Sequence, residues 1–337
     1  MNVEGTVLVG PEFEPIDGRV VVEDGVIQEI EETNTGSQSI IMPAFVNAHT
    51  HLGDSIAKEA GAGLSLDALV APPDGLKHRL LRAADRETKI DAMSRSLRFM
   101  EQTGTAGFIE FREGGAPGVE MLREALARRK IQPTILGRET EAALEAGDGF
   151  GASGARDGDF DELRNATRRA KKLFGIHAGE RDPSDIHPAL DLSPDFIVHL
   201  VHVEALHLDR IEDSEIPVVV CPRSNLVTNV GVPPIRQLNE RTTVALGTDN
   251  VMTNSPSMFR EMEFAAKLSD LPAPTILRMA TRNGAEIADL NCGVIEPGRE
   301  AKLLELDGNS DNLCYTKDIV RAIVRRAGHA DIKRVHL

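Results

Sequence analysis

The sequence predicts an α/β fold, a (β/α)8 TIM barrel, on three observations. From about residue 46, short apolar strands alternate with amphipathic helical stretches, which reads as β/α units with parallel strands. About eight strand candidates precede residue 250, in keeping with the usual barrel size of about 250 residues. Short strands also stand at both chain ends, in residues 1–43 and again after about 290.

Taken in order, GTVLVG reads as a strand, and GRVVVEDGVIQEIEE as a hairpin with Glu23, Asp24 and Gly25 at its turn. AFVNAHTH is the first barrel strand. AGFIEF follows and leads into the helical GVEMLREALARRK. QPTILG precedes a variable segment, and KLFGIHAGE, DFIVHLVH, PVVVCP and TVALGTDN are the later strands, with AKLLELD near the C-terminus. The Gly- and Asp-rich GDGFGASGARDGD (147–159) predicts a mobile loop. APPDGLKHRLL (71–81) falls in the long connection after the first barrel strand, near the mouth of any site. It reads as a turn entering a helix, or as a carrier of specificity.

Of the 337 residues, 41% are hydrophobic, enough for a sizeable core. The net charge of −15 argues against nucleic acid, which needs a cationic footprint, and weakly against anionic membrane surfaces. No apolar run approaches the roughly 18 residues of a membrane helix, and the N-terminus does not read as a signal peptide. Cys221, Cys292 and Cys314 are widely spaced and suggest no disulfide framework, so a cytoplasmic location is expected. The expected partner is a small-molecule substrate, with homo-oligomerisation left open.

His49 and His51 end a strand two residues apart, so both face one side. Converging neutral imidazoles suit a divalent transition metal. In a (β/α)8 barrel the C-terminal strand ends carry the chemistry. Those ends supply His177 with Glu180 three residues on, His199, and Asp249. Taken alone, each could be a cap, a turn residue or a solvated helix start. Together they make a metal site of His49, His51, His177 and Asp249, with Glu180 as general acid/base and His199 orienting water or polarising substrate. His202 and His207 read as packing or surface residues. Glu110 and Arg112, at the end of the second barrel strand, share a parity. They are expected to face inward, with Phe111 pointing away, and Arg112 to hold an anionic group or ring carbonyl of the substrate.

The run P-x-F-V-N-A-H-T-H, His-x-x-Glu at 177–180, HLVHVEALHLDRI with VVVCPRSNL, LGTDN, and MATRNGAEIADLNCGVIEPGREAKLLELD resembles the amidohydrolase superfamily. The resemblance is to its aminohydrolase branch of cytosine, guanine and S-adenosylhomocysteine deaminases and triazine hydrolases, and it covers residues 1 to about 307. It implies metal ligands at His49, His51, His177 and Asp249, and catalytic roles for Glu180, His199 and Asp249. It implies one divalent ion, with zinc preferred and iron the alternative. The bridging lysine of two-metal members has no counterpart at a fourth-strand end. The resemblance further implies a small β-sandwich assembled from residues 1–45 and 290–337, around a catalytic barrel of residues 46–289. Ala44 and Lys302 depart from the family pattern, both away from the chemistry. The implied reaction is hydrolytic deamination of an amino-substituted N-heterocycle such as a purine, pyrimidine or pterin, releasing ammonia. The alternatives are cyclic-amide or other C–N or C–Cl hydrolysis by the same machinery, or a non-catalytic member of the fold.

Overall fold

The computed structural model describes residues 2–337. In strand β1 (Asn2–Val9), exposed and buried residues largely alternate, as a strand with one face on a core requires. It pairs antiparallel with β2 (Glu14–Glu23), which turns back into β3 (Val26–Glu32). Glu23 stands opposite Val26, and the two turn residues between them, Asp24 and Gly25, have φ of 49° and 78°. Both positive values match the tight hairpin turn whose twist suits its strands.

β4 (Ser39–Pro43) lies parallel to β1 and antiparallel to a strand from the other chain end, Leu303–Asp307. That strand in turn pairs with Ile332–His336. The two chain ends therefore share one six-stranded sheet, whose apolar face gathers Val7, Val20, Ile27, Ile41 and Leu303 in one cluster. The helix between the last two strands, Ile319–Arg326, sends Val320, Ile323 and Val324 into the same core as Met262 and Ile276. It packs against the helices that follow the last barrel strand.

The second sheet is a curled, parallel, nine-stranded sheet of TIM-barrel-like form. Its strands are β5 (Phe45–His51), β6 (Thr105–Arg112), β7 (Gln132–Gly137), β8 (Gly149–Ala152), β9 (Leu173–Ala178), β10 (Phe196–His199), β11 (Val218–Val220), β12 (Val244–Leu246) and β13 (Asp249–Asn250). β5 to β12 are neighbours in chain order. β13, two residues beyond β12, pairs instead with β5, Asp249 opposite Thr50 and Asn250 opposite His51. Gly247 allows this crossing, because a Cβ there would lie 2.6 Å from His49 Cβ.

Helices cover the outside of the sheet. Arg86–Gln102 starts where Asp85 accepts a hydrogen bond from Thr88 N, and buries Met93, Leu97 and Met100 against Phe108 and Val119. Each such burial contributes about 1.5–3 kcal/mol. Among the described residues, no helix is long and apolar enough to cross a membrane.

One expectation fails here. Within the predicted mobile loop at 147–159, residues 149–152 form β8, fully buried and paired on both sides. Its glycines answer to close neighbours, not to mobility. A Cβ on Gly149 would stand 2.3 Å from the Leu173 carbonyl oxygen, and one on Gly151 2.5 Å from the Phe111 ring.

Candidate active site

β5 ends in an irregularity. Its register against β6 shifts between Asn47 and Thr50, and His49 and His51 converge on His177. His177 ends β9, and His199 and Asp249 stand at the ends of β10 and β12–β13. His199 and Asp249 adopt φ of 82° and 58°, left-handed values that cost about 1–3 kcal/mol each in residues other than glycine. Strain of this kind concentrates at functional sites, and here it re-aims two side chains at one point.

The distances describe a donor cluster. His177 Nε2 lies 3.3 Å from both His49 Nε2 and His51 Nε2. Asp249 Oδ1 lies 3.3 Å from His49 Nε2 and 3.6 Å from His51 Nε2. Four ligands placed tetrahedrally at about 2.0–2.1 Å from a zinc ion stand about 3.3–3.4 Å apart. Tautomers agree with that fit. His51 Nδ1 donates to Glu113 Oε1 at 2.7 Å, and His177 Nδ1 donates to the Ala152 carbonyl at 2.8 Å. In the neutral rings both Nε2 atoms are therefore bare lone pairs, facing each other at a separation that only a shared cation makes favourable.

The rings are neutral because burial lowers their pKa values. His49 is lowered by burial despite Asp249. His51 is lowered to about 3 by burial and then Lys77. His177 is held well below the usual range by burial and then by its histidine neighbours. Asp249 stays ionised. Burial pushes its carboxyl up, but the interactions with the surrounding histidines, the hydrogen bond with His49 first among them, outweigh it and hold it well below the usual range. Ser224 Oγ donates to Asp249 Oδ2 at 2.6 Å, and Asn250 Nδ2 to Oδ1 at 2.8 Å.

Glu180 faces this cluster from the loop after β9, with Oε2 3.5 Å from His199 Nε2. One ligand atom each from Glu180, His199 and Asp249 lie within 4.8 Å of one another. Burial raises the Glu180 pKa, with His199 opposing and Asp249 adding to it. Asn225 Nδ2 donates to Glu180 Oε1 at 3.3 Å and to His199 Nδ1 at 3.2 Å, which leaves the proton of a neutral His199 on Nε2. The surrounding pocket is lined by Leu66, Val70 and Pro72 on its apolar side and by Lys77, Arg138 and Arg156 among its cations.

Glu110 and Arg112 are not brought to this pocket. The expected parity is reversed. Phe111 faces inward, its ring centroid 4.7 Å from that of His49 and 4.8 Å from that of His177. Glu110 accepts from Leu52 N and Thr50 Oγ1, and Arg112 Nε donates to the Gly118 carbonyl. Arg112 Nη1 lies 3.7 Å from both Glu110 and Glu113, over Gly53, where a Cβ would stand 1.9 Å from it. Strand β6 is buried on both faces, so its sequence carries no alternation to tell inside from outside.

Asn225, Ser224, Asn250 and Lys77 carry no assigned role in the sequence reading. The first two lie in the PRSNL run, where a polar pair just after a buried strand was the available signal. His207, read as a packing or surface residue, is buried, and its Nδ1 accepts from Glu204 N at a helix start.

The chain is similar to known proteins over nearly its whole length. The amidohydrolase family profile matches residues 40–207 and 189–335. An uncharacterized protein of Methanocaldococcus jannaschii is 34% identical over 360 residues, covering 96% of this chain and 94% of its own. A 5-methylthioadenosine/S-adenosylhomocysteine deaminase of Halobacterium salinarum is 25% identical over 393 residues, covering 99% and 90%. The crystal structure of an adenosine deaminase from Xanthomonas campestris with bound zinc superposes with a TM-score of 0.75 at 18% identity, covering 96% of this chain and 88% of that one.

Proposed function

The chain belongs to the amidohydrolase family, and on that premise we propose that it is a hydrolytic deaminase of an amino-substituted nitrogen heterocycle, purine-, pyrimidine- or pterin-like, releasing ammonia. The observation that carries this reading is Glu180 beside four converging donor atoms. The relatives named as deaminases support it. His49, His51, His177 and Asp249 would hold one divalent ion, zinc in preference to iron. Such an ion, when bound, supplies Lewis-acid activation of the attacking water.

The chain's own groups do the rest. Leu66, Val70 and Pro72 offer apolar faces to a flat ring. Glu180, its carboxyl raised by burial, holds a proton and delivers it to the ring nitrogen beside the attacked carbon. Asn225 fixes Glu180 and His199 together. The His199 Nε2–H then stabilises negative charge developing on the ring. Asp249 Oδ2, aligned by Ser224, can hold the proton that the attacking water sheds and pass it to the amino group, which leaves as ammonia.

We read residues 46–289 as the catalytic barrel, and residues 1–45 with 290–337 as an outer β-sandwich-like domain. The shared six-stranded sheet, with an apolar cluster on one face drawn from both chain ends, supports that division.

The test is a panel of aminopurines, aminopyrimidines and pterins scored by ammonia release, alongside metal analysis. Glu180→Gln should keep metal and fold yet lose about 10²–10⁴ in rate. His49→Ala should lower metal content and activity together. Two ions per chain bridged by a modified lysine, or an unimpaired Glu180→Gln, would overturn the reading.

A further inference from the structure

Residues 58–84 make the long excursion after β5 and roof the pocket with Leu66, Val70, Ala71 and Pro72. The excursion ends in a helix, Leu76–Ala83, whose second residue turns back into the protein. Lys77 is only 2% exposed. Its Nζ stands 2.7 Å from Glu113 Oε1 and donates to Asn250 Oδ1 at 3.1 Å.

Both partners already support a metal donor. Glu113 Oε1 accepts from His51 Nδ1 at 2.7 Å, and Asn250 Nδ2 donates to Asp249 Oδ1 at 2.8 Å. One ammonium thus spans the supports of two donors that arrive on different strands, β5 and β13. A buried ammonium has three N–H groups and no acceptor, and is costly unless paired. It therefore stays where Glu113 and Asn250 hold it. The roof has a second tie on the other side of the pocket, the ion pair of Asp67 with Arg181, next in chain to Glu180.

We propose that Lys77 is a positioning residue that ties the roof, residues 58–84, to the metal donors, so that metal binding and ordering of the roof form one linked equilibrium. Groups that orient a metal's ligands typically change its affinity by about 10–100-fold when removed. Linkage is reciprocal, so what the roof does for the metal the metal does for the roof. The proposal rests on the metal-donor reading but not on the choice of substrate.

The test uses the full chain and zinc alone. Zinc affinity is measured by chelator competition for wild type, Lys77→Met, Lys77→Arg, Glu113→Gln and the Lys77→Met/Glu113→Gln double variant. Protease cleavage within 58–84 is followed with and without zinc. Lys77→Met should weaken zinc about 10–100-fold, and Lys77→Arg should recover part of the loss. The double variant should fall short of the product of the single effects, because both act on His51. Zinc should slow cleavage of the roof in wild type and not in Lys77→Met. If Lys77→Met does not fold, Lys77→Arg and Glu113→Gln carry the comparison. A wild type that binds no zinc overturns the metal reading and this proposal with it. A wild type that binds zinc, with Lys77→Met equal to it or roof cleavage indifferent to zinc, overturns the positioning role alone.

Discussion

Gly151→Ala adds one methyl group to β8 and should be felt at the metal donors. An added Cβ would stand 2.5 Å from Phe111 Cδ1 and 2.8 Å from Cγ, against about 3.5–4.0 Å for relaxed carbon contacts. The ring must move by about 1 Å. It cannot move freely, because a Cβ at the neighbouring Gly175 would likewise lie 2.7 Å from its Cζ, and because Phe111 is wholly buried. Its edges meet His49 and His177. Overpacking of this kind costs about 1–3 kcal/mol. Replacing a strand glycine by alanine returns about 0.5–1 kcal/mol. The net is a loss of up to about 2.5 kcal/mol, which for a chain of this length lowers Tm by up to roughly 3–4 °C. Displaced imidazoles should cost more in zinc affinity, about tenfold or above. Calorimetry with and without zinc, together with chelator competition, reads both effects. Phe111→Leu in the same chain makes room for the methyl and should restore part of the zinc affinity. A Gly151→Ala chain that melts and binds zinc like wild type, or a double variant no better than the single, would refute the argument.

Two further outcomes follow from the charges behind β5. Burial raises the Glu110 carboxyl to about 8, with Arg112 opposing, so the folded state favours its protonated form. Stability should therefore fall as pH rises from about 4.5 through about 8, and denaturant titrations across that range should show a flatter profile for Glu110→Gln; parallel profiles would exclude Glu110 as the titrating group. Arg112→Met should leave KM within a few-fold yet lower stability by about 1–3 kcal/mol, because it removes the buried hydrogen bond to the Gly118 carbonyl. A tenfold KM effect with unchanged stability would return Arg112 to the substrate site.

The barrel was legible wherever strands were apolar and long enough to stand against amphipathic helices. It was illegible at β8, whose four residues include Gly149 and Gly151. Nothing local distinguishes a glycine that yields space to Leu173 or Phe111 from one that frees a loop. The residues proposed as donors stood out because strand ends rarely collect these residue types, and the structure brings His49, His51, His177 and Asp249 together. Their supports did not stand out. Lys77 lies in LKHRLLRA, where a lysine between leucines reads as a solvated helix face, and only the tertiary fold carries it onto Glu113 and Asn250. Asn225 likewise looks like a helix-start residue until β11 sets it beside β10.

The donors have two unlike backings, and the contrast bears on how the site works. Beneath them, inside the barrel, lie Phe111, Ala48 and Val219, which are apolar and closely packed. Behind His51, toward the helices, lie Glu113 and the cations that share it, Lys77, Arg138 and Arg112. Burial pushes the Glu113 carboxyl up, but Lys77, His51 and Arg138 outweigh it and hold it well below the usual range. It therefore remains an anion that accepts a hydrogen bond from His51 Nδ1–H, which leaves Nε2 bare. The apolar floor acts in the opposite sense, keeping the rings neutral and their orientation fixed. The apolar floor belongs to the barrel core. The roof differs. It reaches the proposed donors through Lys77, by way of Glu113 and Asn250, and its order should therefore follow the metal.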